Sequence, residues 1–134
     1  MATFQANLRG RNVVPPVQTF ARGTASFSTV GNNNVRALRF SLSIRNINQV
    51  TQAHIHLGQP GANGPIVATL FGPSKFGISV RRGIVTGTLT RSDLQGPLQG
   101  LSLRSLIREI NRGNAYVDVH TAQYPNGQIR GQIR

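Results

Sequence analysis

The stretch LRFSLSIR, residues 38–45, alternates apolar and polar side chains without interruption. Successive side chains of an extended chain point to opposite faces, so the four apolar residues of this stretch would share one side. Such alternation is typical of a strand that turns one face to a core and the other to solvent. The stretch therefore predicts a half-buried β-strand within an all-β fold.

Other segments show the same alternation, or a short apolar run between turn residues. Together with the first stretch they predict about eight strands in a single domain, residues 1–134. This count favours an antiparallel Greek-key β-sandwich or barrel. The remaining strands are expected near residues 3–9, 24–30, 52–57, 66–71, 78–89, 115–120 and 128–134.

Two local features modify this all-β pattern. Gly83 and Gly87 interrupt one strand segment and predict a bulge or a bend there. Leucines and isoleucines from position 103 to 110 recur at i, i+3, i+4 and i+7, which is helical spacing. Ser102 and Gly113 are residue types that cap helix ends, so one short helix is expected near residues 102–112.

The apolar faces of the predicted strands supply the expected core. Truncating Phe40 to Ala should destabilise the fold, because a buried cavity would remain. The expected core residues are Phe4, Leu8, Leu38, Phe40, Leu42, Ile44, Ile55, Val117, Val119, Ile129 and Ile133.

The composition is strongly basic, with a formal charge of +12 from 15 basic and 3 acidic residues. Such an excess attracts polyanions, such as acidic glycans, anionic cell-surface polymers or nucleic acid. The alternative interpretation is a solvated basic surface without a partner. Few aromatic residues lie among the arginines, which argues against a platform for stacking single-stranded bases. We therefore expect salt-sensitive binding to polyanions without preference for a base sequence.

The absence of cysteine excludes disulfides and thiolate metal sites. No apolar stretch approaches the roughly 20 residues that a membrane-spanning helix needs. Residues 1–8 lack the basic and apolar regions of a signal peptide and predict a strand instead. We expect neither a membrane span nor a signal peptide in this chain.

The three histidines of the chain fall on two predicted strands. His54 and His56 stand two residues apart and therefore point to the same side, opposite to their apolar neighbours. His120 likewise shares the polar side of its strand with Asp118. If the two strands are neighbours, three imidazoles converge on the outer face, which predicts a surface metal site.

Imidazole ligands suit copper, zinc and nickel, and the affinity order favours copper, with zinc as the alternative. Asp118 is a further candidate, either as a ligand or as an acceptor for a ring N–H. Tyr116 is interpreted as a surface aromatic residue, and the 58–65 loop as a shield for one side of the ion. The simpler alternative is that the three histidines are ordinary surface residues.

Several motifs resemble those of the chordin (CHRD) domain family. AHIHLG at 53–58, with GANGPIV at 61–67, is similar to the hallmark of that family. AYVDVHT at 115–121 and NGQIRGQI at 126–133 are similar to its later strands, and NVVPPV at 12–17 to a motif near its start. The resemblance covers essentially the whole chain in order. It implies the family fold and an extracellular or cell-surface setting.

This chain departs from the family pattern at two positions. The family usually has Glu where Val13 and Gln128 stand here. Both departures remove a carboxylate, so a role that needs those acids is not carried over. Gln128 retains the ability to form hydrogen bonds.

A second resemblance concerns copper/zinc superoxide dismutase. Its copper half also has a His-x-His strand, a glycine-rich loop and a later Val-His strand, which His54, His56 and His120 match in chain order. The resemblance implies a dismutase-like β-barrel and a copper site. No further histidine exists here, so the zinc ligands and the bridging imidazole are absent.

Three functions follow from these patterns. The first is a metal-binding module without turnover, which we favour. The second is a structural or adhesive surface protein that binds polyanions or copies of itself. The third is a copper- or zinc-dependent enzyme, for which a general base is scarce because Asp93, Glu109 and Asp118 are the only carboxylate side chains.

Overall fold

A computed structural model of the chain describes residues 1–74 and 77–134. The described residues form seven β-strands, one α-helix and three single-turn 3-10 helices. The strands are β1 (Thr3–Arg9), β2 (Arg22–Val30), β3 (Ala37–Leu57), β4 (Ile66–Phe71), β5 (Ile78–Leu89), β6 (Ala115–Thr121) and β7 (Ile129–Gln132), and the helix is α1 (Leu103–Asn111). The 3-10 helices are Gly10–Asn12, Arg91–Asp93 and Gly96–Leu98.

Five of the strands close into an antiparallel barrel. β1 pairs with β2, β2 with β3, β3 with β6, β6 with β7, and β7 returns to β1. β4 and β5 add to the barrel by pairing with β3. Closure leaves no free edge among the five barrel strands. The predicted all-β architecture is confirmed.

β3 is one strand of 21 residues, where the sequence predicted two. Its first half pairs with β2 and β5, and its second half with β4 and β6. Asn46 and Gln49 take the left-handed φ values of 56° and 53°, and the pairing with β5 shifts register between Ile47 and Val50. The chain bends there without ending the strand, which lets β3 serve two sides of the barrel.

The bulge expected at Gly83 and Gly87 is absent from β5, since pairing from Leu89 to Arg82 runs in continuous register. A Cβ atom at Gly87 would lie 2.7 Å from the ring of Phe40. The glycine therefore makes room for a core side chain and does not bend the strand.

The eleven residues predicted for the core are all buried. The predicted helix is also present, with Ser102 at its N-cap and Arg112 at its C-cap. Gly113 follows with a φ of 73°, which glycine adopts without strain. Leu106 and Ile110 are buried on the inner side of α1. No helix in the two described ranges is long and apolar enough to cross a membrane.

Candidate metal centre

The second half of β3 and the neighbouring β6 place the polar residues of both strands side by side. In their antiparallel register, Gln52 faces His120, His54 faces Asp118 and His56 faces Tyr116. The intervening pairs, Ala53 with Val119 and Ile55 with Val117, are fully buried in the core. The polar set therefore lies on the outer side of the barrel wall, as strand alternation predicts.

Four of these residues form one cluster, which we call the His/Asp cluster: His54, His56, Asp118 and His120. Each offers one ligand atom, and these atoms lie within 4.8 Å of one another. Donor atoms of a tetrahedral zinc site, with bonds of about 2.0–2.1 Å, are about 3.3 Å apart. The cluster therefore has dimensions that suit a single metal ion.

Asp118 lies at the centre of the cluster. Its Oδ1 is 2.9 Å from Nε2 of His56 and 3.9 Å from Nδ1 of His54, and its Oδ2 is 2.9 Å from Nε2 of His120. The contact with His56 has hydrogen-bond geometry. His120 Nε2 is not aligned for one despite the short distance, so its contact is electrostatic.

The cluster is buried, so the prediction of a surface site was wrong. The exposed fractions are 4% for His54, 5% for Asp118 and 7% for both His56 and His120. Alternation along the strands directs these side chains away from the core, but it does not reveal that two loops cover them. The 58–65 loop and the 122–128 loop each contact one of the imidazoles.

The two loops fix the tautomers of two histidines. Nδ1 of His56 lies 2.9 Å from the carbonyl oxygen of Gly64, and Nδ1 of His120 lies 2.7 Å from that of Pro125. A carbonyl can only accept, so Nδ1 of each ring carries the proton and donates it. In the neutral rings Nε2 therefore presents a lone pair to the Asp118 carboxylate. Metal-binding histidines commonly donate their second ring N–H in this way.

Two buried nitrogens of the cluster have no hydrogen-bond partner among the described residues, namely Nδ1 of His54 and Nε2 of His120. Burying a polar group without a partner is costly. Together with the lone pairs that face Asp118, these atoms require a proton or a cation between the side chains. The four side chains thus have the donor atoms and the spacing that could hold a metal ion.

The ionisation of the cluster favours positive charge beside Asp118, either as a proton on His120 or as a metal ion. Burial, followed by the proximity of His120, lowers the pKa of His54 from 6.5 to about 4, so His54 is neutral near pH 7. Burial alone would raise the pKa of Asp118, but His120 and His56 outweigh it and hold that pKa below its usual value. Burial likewise opposes the charged form of His120, yet the Asp118 carboxylate raises its pKa overall.

Tyr116 is buried beside the cluster and is not the surface aromatic residue that was predicted. Its ring stacks on His56 at a centroid distance of 4.9 Å and an angle of 3°. Its hydroxyl accepts a hydrogen bond from the Gly64 N–H at 3.1 Å. Tyr116 therefore holds both the His56 ring and the loop that carries its acceptor.

Arg130 on β7 is a residue of this region that sequence reasoning missed. It is buried, and its guanidinium carbon lies 3.5 Å from the centroid of the Tyr116 ring. The same group donates to the carbonyl oxygen of Gln59 at 2.9 Å and to Oδ1 of Asn63 at 3.3 Å. Arg130 thus anchors the 58–65 loop over the cluster. Its place in the NGQIRGQI motif was the only available signal.

The surroundings of Gly64 explain why the 58–65 loop needs glycine at this position. A Cβ atom at this position would lie 1.6 Å from the carbonyl oxygen of Leu57. No other residue type fits without moving the backbone that reaches His56. The glycine-rich motif is therefore a requirement for close approach of the loop to β3.

The 122–128 loop is anchored by Gln128, one of the two departures from the family pattern. Its Oε1 accepts from Thr121 Oγ1 at 2.9 Å, and its Nε2 donates to Thr19 Oγ1 at 2.9 Å. Thr121 Oγ1 in turn accepts from the Tyr124 N–H at 3.0 Å. The amide thus retains the hydrogen bonding expected of it and holds Pro125 near His120.

A comparison with protein families matches nearly the whole chain. Residues 4–133 match the CHRD domain, which includes all four members of the His/Asp cluster. Comparisons with curated proteins and with solved structures gave no match. Because the match spans nearly the whole length, the chain belongs to the CHRD domain family.

Proposed function

We propose that this CHRD domain binds one divalent transition-metal ion through His54, His56, Asp118 and His120, and that it does so without turnover. The observation that carries the proposal is the distance of 2.9 Å from an imidazole Nε2 to a carboxylate oxygen on both sides of Asp118. Both imidazoles already donate through Nδ1, so in their neutral forms, which are the forms that bind metal, their Nε2 lone pairs face the carboxylate. A bound cation turns this repulsive arrangement into an attractive one.

His54 completes the set of ligands. Its Nδ1 is buried without a partner and lies 3.9 Å from Asp118 Oδ1. Its lowered pKa keeps the ring neutral, which is the form that binds metal. The ion would therefore have three nitrogen ligands and one oxygen ligand.

Copper(II) is the ion that we expect to bind most tightly. Imidazole and carboxylate ligands suit both copper and zinc, and the general affinity order places copper above zinc. The resemblance of the His-x-His strand to the copper half of copper/zinc superoxide dismutase supports the same choice. Zinc is the second candidate, because structural zinc sites usually have four protein ligands.

Binding without turnover agrees best with the coverage of the cluster. Catalytic sites keep a coordination position open for water or substrate, whereas structural sites are closed. All four ligand residues here are less than a tenth exposed, and two loops cover them. Membership of the CHRD family supports an extracellular or cell-surface setting for such a module.

Metal titration of the purified protein tests the proposal. We expect one ion of copper(II) or zinc(II) per wild-type chain by calorimetry and elemental analysis. His120→Ala should weaken copper binding by more than about 100-fold, because loss of a direct ligand exceeds the effect of losing an outer partner. The chain has three histidines, so a histidine-dependent signal reports on this cluster alone.

Asp93→Asn is the matched control, since Asp93 is an exposed carboxylate in a 3-10 turn outside the cluster. Equal copper affinity in wild type and His120→Ala would refute the proposal. Turnover of superoxide or of an ester by the loaded protein, above that of the free ion, would assign the site to an enzyme instead.

A further inference from the structure

Four arginines stand in one line across the outer side of the barrel. In the register of the strands Arg9 of β1 faces Arg22 of β2, Arg22 faces Arg45 of β3, and Arg45 faces Arg82 of β5. Residues directly opposite in neighbouring strands point to the same side of a sheet. We call these four residues the arginine row.

The row lies on the solvent side. Arg22, Arg45 and Arg82 are exposed and Arg9 is half-buried, whereas the alternating residues Leu8 and Ile44 are in the core. Strands are about 4.8 Å apart, so the four Cα positions span about 14 Å. The charges thus form a line across the strands.

No carboxylate neutralises the row. The chain has three acidic side chains, and each is engaged elsewhere. Asp93 accepts from the Thr90 N–H, Glu109 from Asn114, and Asp118 belongs to the His/Asp cluster. Like charges directly opposite in a sheet are destabilising. A row of four without a counter-charge is therefore a surface that an external anion would stabilise.

The side chains that flank the row on the same face are polar, except for the exposed Ile84 opposite Ser43. The next line of residues across the strands includes Asn7, Thr24 and Ser43, and the line after that includes Gln5, Ser26 and Ser41. Asn7, Thr24 and Ser43 line, with the four arginines, a groove of about 390 Å³. These amides and hydroxyls both donate and accept hydrogen bonds.

We propose that the arginine row binds an extended acidic polysaccharide. Sulfate or carboxylate groups would pair with the guanidinium groups, and the amide and hydroxyl side chains would bond the sugar hydroxyls. Arginine suits this task because its planar donors match oxyanions in pairs. The ligand binds along the row, across the strands.

Nucleic acid fits this surface less well. These lines of residues lie within β1, β2, β3 and β5, so none of them belongs to a helix that could enter the major groove of a duplex. The residues of the row and of its flanking lines include no aromatic side chain on which a base could stack. The arginines and the polar side chains beside them offer charge and hydrogen bonds, which match the acidic groups and hydroxyls that a sulfated or uronic glycan presents on every repeat.

The test titrates a heparin decasaccharide into the whole chain at several sodium chloride concentrations, with a chelator present. The chelator keeps metal ions from contributing to the measurement. If the chain does not bind the decasaccharide, the result of the copper titration still stands. We expect wild-type affinity to fall steeply with salt. Arg22→Gln with Arg45→Gln should lower the affinity about 100-fold and reduce the salt dependence by about two ion pairs.

Arg36→Gln with Arg108→Gln is the matched control, because it removes the same charge from exposed positions outside the row. Its affinity should stay within about fivefold of wild type. The Arg22/Arg45 double variant should be as stable as wild type in thermal unfolding, since it removes like charges that face each other. A loss of folding therefore cannot imitate the expected result.

Three outcomes would overturn the proposal. The first is that the wild-type chain does not bind the decasaccharide at low salt. The second is that the two double variants lose equal affinity, which would indicate an effect of net charge alone. The third is that duplex DNA of matched charge binds as tightly as the decasaccharide and that its binding depends equally on Arg22 and Arg45. That result would replace the acidic polysaccharide with nucleic acid as the ligand.

Discussion

His54 on β3 stands directly opposite Asp118 on β6, and its buried Nδ1 lies 3.9 Å from the Asp118 Oδ1 without a hydrogen-bond partner among the described residues. The distance is too long for a hydrogen bond. Nε2 of His56 and Nε2 of His120 lie 2.9 Å from oxygens of the same carboxylate. The strand register thus brings together four donor side chains that one shared cation would stabilise.

Asp118→Asn separates a metal site from a structural hydrogen-bond network. The asparagine loses the charge, so we expect copper affinity to fall about 100-fold in calorimetry. Its NH₂ group can donate to Nε2 of His56 or His120, so the metal-free protein should keep its free energy of unfolding within about 1 kcal/mol. A large loss of metal-free stability with unchanged copper affinity would show that the cluster is structural.

Metal binding should stabilise the fold, because the ligands come from two strands and two loops cover them. At a free ion concentration about 100 times the Kd, the gain is about 2.7 kcal/mol. Differential scanning calorimetry should show a higher Tm with copper(II) or zinc(II), and a chelator should reverse the shift. His120→Ala is the control, and its Tm should not change when copper(II) or zinc(II) is added under the same conditions.

Copper affinity should fall as the pH is lowered, because protons compete with the ion for imidazole nitrogens. Burial opposes protonation of His120, but the Asp118 carboxylate outweighs it and raises the pKa above 6.5. His54, with a pKa of about 4, remains neutral through the same range. The loss should therefore begin above pH 6.5, at about tenfold per pH unit while one proton competes. Affinity that is constant on both sides of pH 6.5 would contradict this assignment.

The core prediction has its own test in Phe40→Ala. Phe40 is 7% exposed, and its ring fills the space that Gly87 leaves open. We expect a loss of about 3–5 kcal/mol in the free energy of unfolding. Phe20 is 88% exposed, so Phe20→Ala should change stability by less than about 0.5 kcal/mol. Urea unfolding of the two variants measures the contrast, and equal effects would mean that the assignment of faces is wrong.

The sequence predicts most of the barrel because alternation records which face of a strand meets the core. Leu38 and Leu42 are buried, while Arg39 between them is exposed. The same rule places His54 and His56 on one face of β3 and Ile55 on the other. It does not predict that β3 continues through residues 46–51, since the left-handed backbone at Asn46 and Gln49 leaves no period-2 signal.

Burial of the cluster and the line of arginines both depend on contacts between distant segments. Tyr116 and Arg130 become parts of the site only because the 58–65 loop folds over β6. Arg22 and Arg45 are 23 positions apart in the chain and become neighbours only through strand register. Periodicity carries no information on register or on loop coverage, so these features appear only in the folded chain.

A crystal structure of the wild-type chain grown with copper(II), with anomalous scattering recorded at the copper edge, tests the central claim most directly. The account predicts one anomalous peak between β3 and β6, about 2.0–2.2 Å from His54 Nδ1, from Nε2 of His56 and His120, and from an oxygen of Asp118. A cluster without a peak, with the side chains linked by hydrogen bonds alone, would contradict it.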